Sequence, residues 1–273
     1  MAVNFSISEI RELSEQLSLK LNLPFRYMTH SFLKRRLGMF FDKQGIRKPA
    51  QLIEQLENRD MSDELCYFFS VNTTELFRDA GFWRHLRKLV SANYCGNSFR
   101  IWLPDVASGE ELFSLLILLK EIDCLDNAHI VVNSTSDKRI EQISKGCLSV
   151  KKMDVNAYNY KRFEGHENPE TYFIDGDNGF MFDTTLMHNV SFQKGGIENA
   201  PDEKMDIILL RNSLLYYIRD YHETIKDMAD KALVSGGLMC LGVKEQLPAP
   251  YNERFECLDE KEKIYKKFRF IKD

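Results

Sequence analysis

Apolar residues recur with helical spacing over roughly the first 70 positions. The first helix is predicted to begin at Ser6, which can form a capping box with Glu9, and to end before Pro24. Its apolar stripe consists of Ile7, Ile10, Leu13, Leu17 and Leu21. Two more helices follow, and no strand pattern appears before about residue 99. We therefore expect an all-α N-terminal domain over residues 1–82.

Short apolar runs alternate with helical segments in the rest of the chain. The runs are FRIWLPDV from Phe99, HIVVN from His129, MDIILL from Met205 and LMCLGV from Leu238. Strands that alternate with helices build right-handed βαβ units around a parallel sheet. The C-terminal KIYKKFRF alternates more like an antiparallel edge strand. We expect residues 83–273 to form an α/β domain.

One segment of this domain, at about 151–191, breaks the alternation. It is rich in Asn, Asp, Gly, Tyr and Phe, with turn signals at Asp175-Gly176 and Asn178-Gly179. Such dipeptides between aromatic runs predict a small antiparallel β-insertion. Its tyrosines, Tyr158, Tyr160 and Tyr172, are candidates for docking residues or for the core of this module.

Composition narrows the class of protein. Hydrophobic residues make up 44% and charged residues 29%, as in a globular chain, and the net charge of −4 does not favour nucleic acid. No Cys or His cluster has metal-ligand spacing, so we expect no metal and buried, reduced thiols. The start lacks a signal-peptide pattern, and the longest apolar run, Leu112–Leu119, is too short for a bilayer. We expect a cytoplasmic protein without membrane insertion.

The loop after the first strand, Asp105–Glu111, is a candidate ligand site. Gly109 permits a tight turn, and ligands of parallel sheets bind beyond the carboxyl ends of the strands. The glutamates disfavour phosphate and favour a cationic or hydroxyl-bearing ligand such as S-adenosylmethionine. A solvated glutamate at a helix start explains the same residues equally well.

Two other polar segments offer side chains for recognition. Asn72–Arg78 combines amide and hydroxyl groups with a guanidinium that can grip a carboxylate bidentately, and Arg211-Asn212 follows the MDIILL strand with Tyr216 close behind. Taken singly, helix caps and surface or loop-stabilising residues explain these positions as well.

In chain order, the motifs resemble those of the chemoreceptor glutamate methyltransferases, the CheR family. The family motif Asn-x-Thr-x-Phe-Phe-Arg is similar to Asn72–Arg78, with Leu76 for the first Phe. Its Ser-Thr-Gly-Glu-Glu-Pro-Tyr-Ser loop is similar to 107–114. The Phe-Asp-x-Ile-x-x-Arg-Asn motif is similar to 205–212, with the tyrosine at Tyr216, and the late Gly-Leu-Leu-x-x-Gly strand is similar to 237–242.

This resemblance implies a Rossmann-like class I methyltransferase sheet with a β-insertion, preceded by the helical domain. It implies S-adenosylmethionine as cofactor, with S-adenosylhomocysteine as product, and a cofactor pocket lined by Asn72, Thr74, Arg78, Glu110, Arg211 and Asn212. Arg78 and Tyr216 are expected nearest the methyl group. The basic cluster Lys34, Arg35 and Arg36 is expected to face an acidic methylation helix of a chemoreceptor-like partner, and the insertion is where some members dock a receptor tail. We expect a monomer.

Four departures fall on the cofactor side. Where the family has Asp-x-Asp after the second strand, this chain has Ser134-Thr135-Ser136, with Asp137 one place beyond. The others are Asp105 in place of a small residue, Gly196-Ile197 in place of Asn-Leu, and Gly242-Val-Lys-Glu245 in place of Gly-His-Ser-Glu.

Two hypotheses from different classes follow. One is an S-adenosylmethionine-dependent O-methyltransferase that acts on glutamate side chains of a chemoreceptor-like protein. The other is a degenerate methyltransferase fold that acts as a non-catalytic binding or regulatory module in a signalling pathway.

Overall fold

The first N-terminal helix begins where its capping box places it, and a fourth helix follows the three that the sequence predicts before residue 70. The computed structural model describes residues 5–71, 74–176, 179–250 and 253–268. Ser6 and Glu9 form the predicted capping box. The helices are α1 (Ile7–Leu21), α2 (His30–Gln44), α3 (Pro49–Gln55), α4 (Arg59–Phe69), α5 (Ala80–Asn93), α6 (Glu110–Glu121), α7 (Asp137–Ser144), α8 (Met153–Phe163) and α9 (Arg219–Ala232). None of the helices within the described ranges is long and apolar enough to cross a membrane.

Buried hydrophobic side chains form three clusters, one within the N-terminal helices and two on the sheet. Buried side chains from Phe5 to Phe69 form one cluster inside helices α1 to α4. The next clusters start at Leu76 and pack on the two faces of the sheet. Helix α5 crosses the predicted boundary at residue 82 and packs on the sheet through Phe82, Trp83 and Leu86.

The α/β domain contains a seven-stranded sheet, which confirms the predicted fold class. Its strands are β1 (Phe99–Leu103), β2 (Ala128–Ser134), β5 (Val190–Lys194), β6 (Met205–Leu210), β7 (Leu233–Leu241), β8 (Phe255–Asp259) and β9 (Ile264–Lys267). The order is β5-β2-β1-β6-β7-β9-β8, and β9 alone runs antiparallel to its neighbours. The prediction of an antiparallel C-terminal strand is confirmed, but its edge position is wrong, since β8 pairs outside it.

The β-structure of the insertion covers fewer residues than the predicted segment at about 151–191, whose first part forms helix α8. A two-stranded antiparallel hairpin is formed by β3 (Phe173–Gly176) and β4 (Gly179–Phe182), and its turn at 177–178 lies outside the described residues. Tyr160 and Tyr172 are buried, whereas Tyr158 is exposed. The end of the predicted segment belongs to β5, which pairs in parallel with β2.

A short antiparallel bridge joins the helical domain to the loop after β6. Met28 pairs with Tyr217, and the backbone N–H of Ile218 donates to the Tyr27 carbonyl at 2.8 Å. The ring of Tyr27 also stacks on Tyr221 at a centroid distance of 4.2 Å. These contacts hold the helical domain over the carboxyl ends of the central strands.

The expectation of six reduced thiols is wrong for one pair. Cys95, after α5, and Cys124, after α6, form a disulfide with Cα atoms 5.4 Å apart. The ends of two helices on the same sheet face meet there, and a sequence separation of 29 residues gives no sign of this. Of the free cysteines, Cys66 and Cys240 are buried and Cys147 is exposed.

Candidate active site

A cleft opens at the carboxyl ends of β1 and β6. The strand order reverses between these two strands, and ligands of open α/β sheets bind at such a point. Loops from the sheet form the floor, and Leu23, Phe25, Met28 and Phe32 of the helical domain form the roof. Among the predicted site residues, Thr74, Arg78, Arg211, Asn212 and Tyr216 line the cleft. Asn72 lies outside the described residues.

The glycine loop shapes the start of α6 but does not present Glu110 to the cleft. Gly109 has φ +104°, and an added Cβ would lie 3.1 Å from both Phe113 and Ile143. Glu110 is almost fully buried, and its carboxylate accepts hydrogen bonds from the hydroxyls of Thr74 and Ser108. Glu110 therefore joins Thr74 to Ser108 behind the cleft wall and is not among the residues that line the cleft, so its role in cofactor binding stays a prediction. Its neighbour Glu111 lines the cleft.

Arg211 is the centre of a buried charge cluster in the cleft wall. Its guanidinium binds Asp79 at 2.9 Å and Glu111 at 3.0 Å, and lies 3.9 Å from the centroid of the Phe82 ring. Burial raises the pKa of Glu111, and the positive charge of Arg211 opposes that shift. The prediction placed Arg211 directly on the cofactor, whereas its donors are largely used to hold two carboxylates.

Arg78 is positioned by a strained turn. Its neighbours Phe77 and Asp79 both have positive φ, which is rare for residues other than glycine. The turn is fixed by hydrogen bonds from the Phe77 N–H to Ser114 and from the Trp83 indole to the Arg78 carbonyl. The Arg78 guanidinium has no ion pair or hydrogen bond with any residue in the described ranges. A cation without a partner therefore faces the cleft.

Tyr216 lies across the same cleft, at the seam between the domains. Its ring packs against Phe32 at 4.7 Å, and its carbonyl accepts the Thr29 N–H at 2.9 Å. Partial burial raises the pKa of the Tyr216 hydroxyl, and the negative charge of Asp105 adds to the effect. The hydroxyl therefore keeps its proton at neutral pH and is available as a donor.

Asn212 is held in position by its backbone. It has φ +60°, and its N–H donates to Glu245 Oε2 at 2.7 Å, as does the N–H of Gly242. Glu245 is buried, and burial raises its pKa while these backbone donors lower it. The glutamate kept from the family's late motif thus ties the loops after β6 and β7 together.

A carboxylate from the N-terminal helices accepts hydrogen bonds from the loop after β2. Asp63, on α4, accepts the Ser136 hydroxyl at 3.0 Å and the backbone N–H groups of Asp137 and Lys138 at 2.6 and 3.1 Å. Asp137 itself is exposed and paired with Lys194, so it does not turn into the cleft. Asp63 therefore caps α7 from a distance of more than 70 residues along the chain.

We expect Asp63→Ala to lower the free energy of unfolding by about 1–2 kcal/mol, because three donors at the start of α7 lose their acceptor. Thermal or denaturant unfolding measures this loss. The matched control is Asp42→Ala, which removes an exposed carboxylate from α2. Equal stabilities of the two variants would contradict the capping role.

Asp105 and Glu198 make the floor of the cleft acidic. Asp105 accepts the Ser213 hydroxyl at 3.2 Å, and the walls raise its pKa by removing water, with a further contribution from Glu198. Glu198 accepts the Tyr221 hydroxyl at 2.6 Å, and its buried Oε2 has no hydrogen-bond partner among the described residues. A Cβ on Gly196 would lie 2.8 Å from that oxygen. An unused acceptor therefore faces space that a ligand donor can fill.

The predicted basic cluster on α2 is only partly directed to this region. Arg36 is half-buried, donates to the Ser70 carbonyl at 3.3 Å and lies 5.5 Å from the centroid of the Phe32 ring. Arg35 and Arg36 both act electrostatically on Tyr216. Lys34 is exposed, and none of the three lines the cleft.

Sequence reasoning missed three acidic residues that shape the site, namely Asp63, Asp79 and Glu198, and it chose Glu110 where Glu111 lines the cleft. Asp79 and Glu198 had a usable signal, since Asp79 adjoins Arg78 and Glu198 follows the Gly196-Ile197 pair. Asp63 had none, because it acts through a contact between segments far apart in sequence.

The strand order and the cleft define a Rossmann-like class I methyltransferase. A family model described as the CheR methyltransferase, SAM binding domain, matches residues 72–264, and the chain belongs to that family. It is similar to the protein Cher3 of Pseudomonas putida, with 25% identity covering 95% of this chain and 96% of the relative. It is also similar to a chemotaxis protein methyltransferase of Listeria monocytogenes, with 22% identity covering 85% and 88%.

Among solved structures, the N-methyltransferase NodS of Bradyrhizobium japonicum, in complex with S-adenosyl-L-homocysteine, matches with a TM-score of 0.39. The identity is 12%, and the match covers 69% of this chain and 87% of that one.

The cleft residues fit S-adenosylmethionine, the cofactor of this family. The ligand carries an amine, a sulfonium and ribose hydroxyls, and the floor offers the carboxylates of Asp105 and Glu198 as acceptors. Phosphate-bearing cofactors are disfavoured by the same charges. The chain is an S-adenosylmethionine-dependent methyltransferase of the CheR type.

Proposed function

We propose that this protein methylates glutamate side chains of a chemoreceptor-like protein, with S-adenosylmethionine as methyl donor. The observation that carries the proposal is the guanidinium of Arg78, which has no partner among the residues that the structure describes and lines the same cleft as Tyr216. A guanidinium holds a carboxylate in a fixed, bidentate geometry, and the protonated tyrosine can donate a further hydrogen bond. The names of relatives, such as chemotaxis protein methyltransferase, support the same substrate class.

The chemistry demands little of the protein. Bound in the cleft, S-adenosylmethionine supplies an electrophilic methyl group on a positively charged sulfur. A glutamate side chain has a pKa of about 4.3, so it is already a nucleophile at neutral pH and needs no general base. Arg78 and Tyr216 orient it, and the aromatic roof excludes water from it.

The rate of methyl transfer should therefore depend on pH in a simple way. We expect kcat/KM to rise as the acceptor glutamate ionises between about pH 4 and pH 5 and to stay flat to about pH 9. The raised pKa of Tyr216 keeps its hydroxyl protonated over that plateau. A second ionisation near pH 7 in the profile would reveal a general base and contradict this mechanism.

The direct test is methyl transfer from tritiated S-adenosylmethionine to the cytoplasmic fragment of a chemoreceptor. A glutamyl methyl ester releases volatile tritiated methanol in alkali, whereas N-methyl and ether products do not. Base-labile label that disappears when the acceptor glutamates are changed to alanine supports the proposal. Stable label, or none with a cofactor-competent protein, rejects it.

One observation favours the second candidate, a non-catalytic module. In the loop after β2, Asp137 is paired with Lys194 and Asp63 is used as a cap, so neither carboxylate is presented to the cleft. A lost charge-assisted hydrogen bond costs roughly 1.5–3 kcal/mol of affinity. Calorimetric titration with S-adenosylhomocysteine separates the two candidates, since no heat at millimolar ligand leaves only the module.

Further parts of the proposal concern the setting of the reaction. The partner is a receptor with an acidic methylation helix, met by a cytoplasmic, monomeric enzyme that does not bind nucleic acid. Lys34, Arg35 and Arg36 are proposed to contact the acidic substrate. The influence of Arg35 and Arg36 on Tyr216 supports a position beside the acceptor side chain.

A further inference from the structure

A second groove meets the cleft at Arg78. Both depressions share Glu75 and Arg78, and the second continues along the outside of α5 and α8. Its other charged lining residues are Asp79, Arg84, Arg162, Lys261 and Glu262. Arg78 thus faces the cofactor cleft on one side and an open surface channel on the other.

The surface beside this groove is basic, although the chain as a whole is acidic. Helix α5 carries Arg84, Arg87 and Lys88 and no acidic residue, and α8 ends in Lys161 and Arg162. We call these five residues the basic face. Lys88, Lys161 and Arg162 are exposed, and none of the three has an ion pair with any residue that the structure describes.

Acidic residues of the groove do not cancel this charge. Glu75 is paired with Lys152 at 2.7 Å, and Asp79 is paired with Arg211 at 2.9 Å. Glu262 lies 3.8 Å from Lys261, Arg84 lies 3.8 Å from the exposed Glu164, and Arg87 lies 3.9 Å from the buried Glu121. The spare positive charge among the described residues therefore lies at Arg78, at the inner end of the groove, and at the exposed Lys88, Lys161 and Arg162 of the basic face.

We propose that the basic face and the second groove dock an acidic segment of the acceptor protein and lead one of its carboxylates to Arg78. The inference rests on the proposed function and adds to it a docking surface on α5 and α8. Long-range attraction between opposite charges speeds encounter and fixes orientation. The acids interspersed in the groove suit a short acidic peptide better than a continuous phosphate chain.

Fluorescence anisotropy tests the docking with a labelled, alanine-based helical peptide that carries glutamate at every fourth position. The test variant is Lys88→Glu/Arg162→Glu, which changes only exposed side chains. The matched control, Lys48→Glu/Lys231→Glu, reverses two exposed charges elsewhere. Arg84→Ala is a second variant without charge reversal.

We expect the test variant to weaken peptide binding at least about tenfold at low salt and less at 0.15 M, and the control to change it by less than about twofold. Arg84→Ala should show a smaller loss of the same kind. Equal binding by test and control variants, no binding by the wild type, or displacement of the peptide by a single-stranded oligonucleotide at equal charge would each overturn the inference.

Methyl transfer to the receptor fragment, measured in parallel, keeps the two proposals distinguishable. If the peptide binds through the basic face but the receptor carries no base-labile label, the proposed function is wrong and the docking surface stands. If base-labile methylation occurs and the test variant has the same KM for the receptor fragment as the wild type, the docking surface is wrong and the proposed function stands.

Discussion

Replacing Arg78 with alanine is expected to lower kcat/KM for methyl transfer about 100-fold, because the acceptor carboxylate loses the cleft guanidinium that, unlike Arg211, has no carboxylate partner among the described residues. Arg78 faces both the cleft and the second groove, where an acceptor would arrive. We therefore expect the Kd for S-adenosylhomocysteine to change less than about threefold, since the substitution removes a contact to the acceptor carboxylate and none to the cofactor. Steady-state kinetics and calorimetry measure the two quantities.

The controls for this prediction separate charge from geometry. Arg78→Lys keeps the charge but not the fork, and should recover part of the rate. Arg59→Ala removes an exposed arginine from α4 and should leave the kinetics unchanged. If S-adenosylhomocysteine affinity fell in proportion to kcat/KM, Arg78 would hold the cofactor's own carboxylate, and the assignment to the acceptor would be wrong.

The variant Arg211→Met is expected to lose about 3 kcal/mol of stability, with a fall in Tm of roughly 10 °C. The change leaves Asp79 and Glu111 side by side without their shared cation and removes the contact with Phe82. The cost stays below that of deeply buried charges, because both carboxylates keep partial access to water, Glu111 at the cleft and Asp79 at the second groove. Differential scanning calorimetry measures the change.

A compensating set of substitutions tests whether stranded charge is the cause. Asp79→Asn and Glu111→Gln, combined with Arg211→Met, neutralise the whole cluster and should restore most of the lost stability. A triple variant as unstable as Arg211→Met would show that the packing of Arg211 on Phe82, and not the ion pairs, holds this wall together.

The fold was accessible from sequence wherever strands are buried on both faces. The runs at Phe99 and Met205 are apolar except at Arg100 and Asp206, because helices cover both faces of these strands. Strand β5, with sequence VSFQK, was missed because it is an edge strand with exposed alternate residues, and the aromatic segment before it favoured an insertion. Strand β8 was missed for the same reason, because it lies at the other edge of the sheet and is short and half-exposed.

The sequence predicts which segments form the candidate site, but not which side chain of each segment faces the cleft. Arg78 and Tyr216 are predicted from sequence motifs, and both line the cleft. Choosing between Glu110 and Glu111 was not possible, because successive residues at a helix start point in different directions. The hydroxyls of Thr74 and Ser108 decide which one turns inward.

The bridge between Met28 and Tyr217 bears on where this protein can be divided. The segment 72–264 that matches the family begins after the helices that roof the cleft. Without residues 1–71, Tyr216 would lose Phe32, α7 would lose Asp63, and the acceptor side chain would meet open water. We therefore expect the shortest chain with methyltransferase activity to extend beyond the matched segment 72–264 and to include the N-terminal helices.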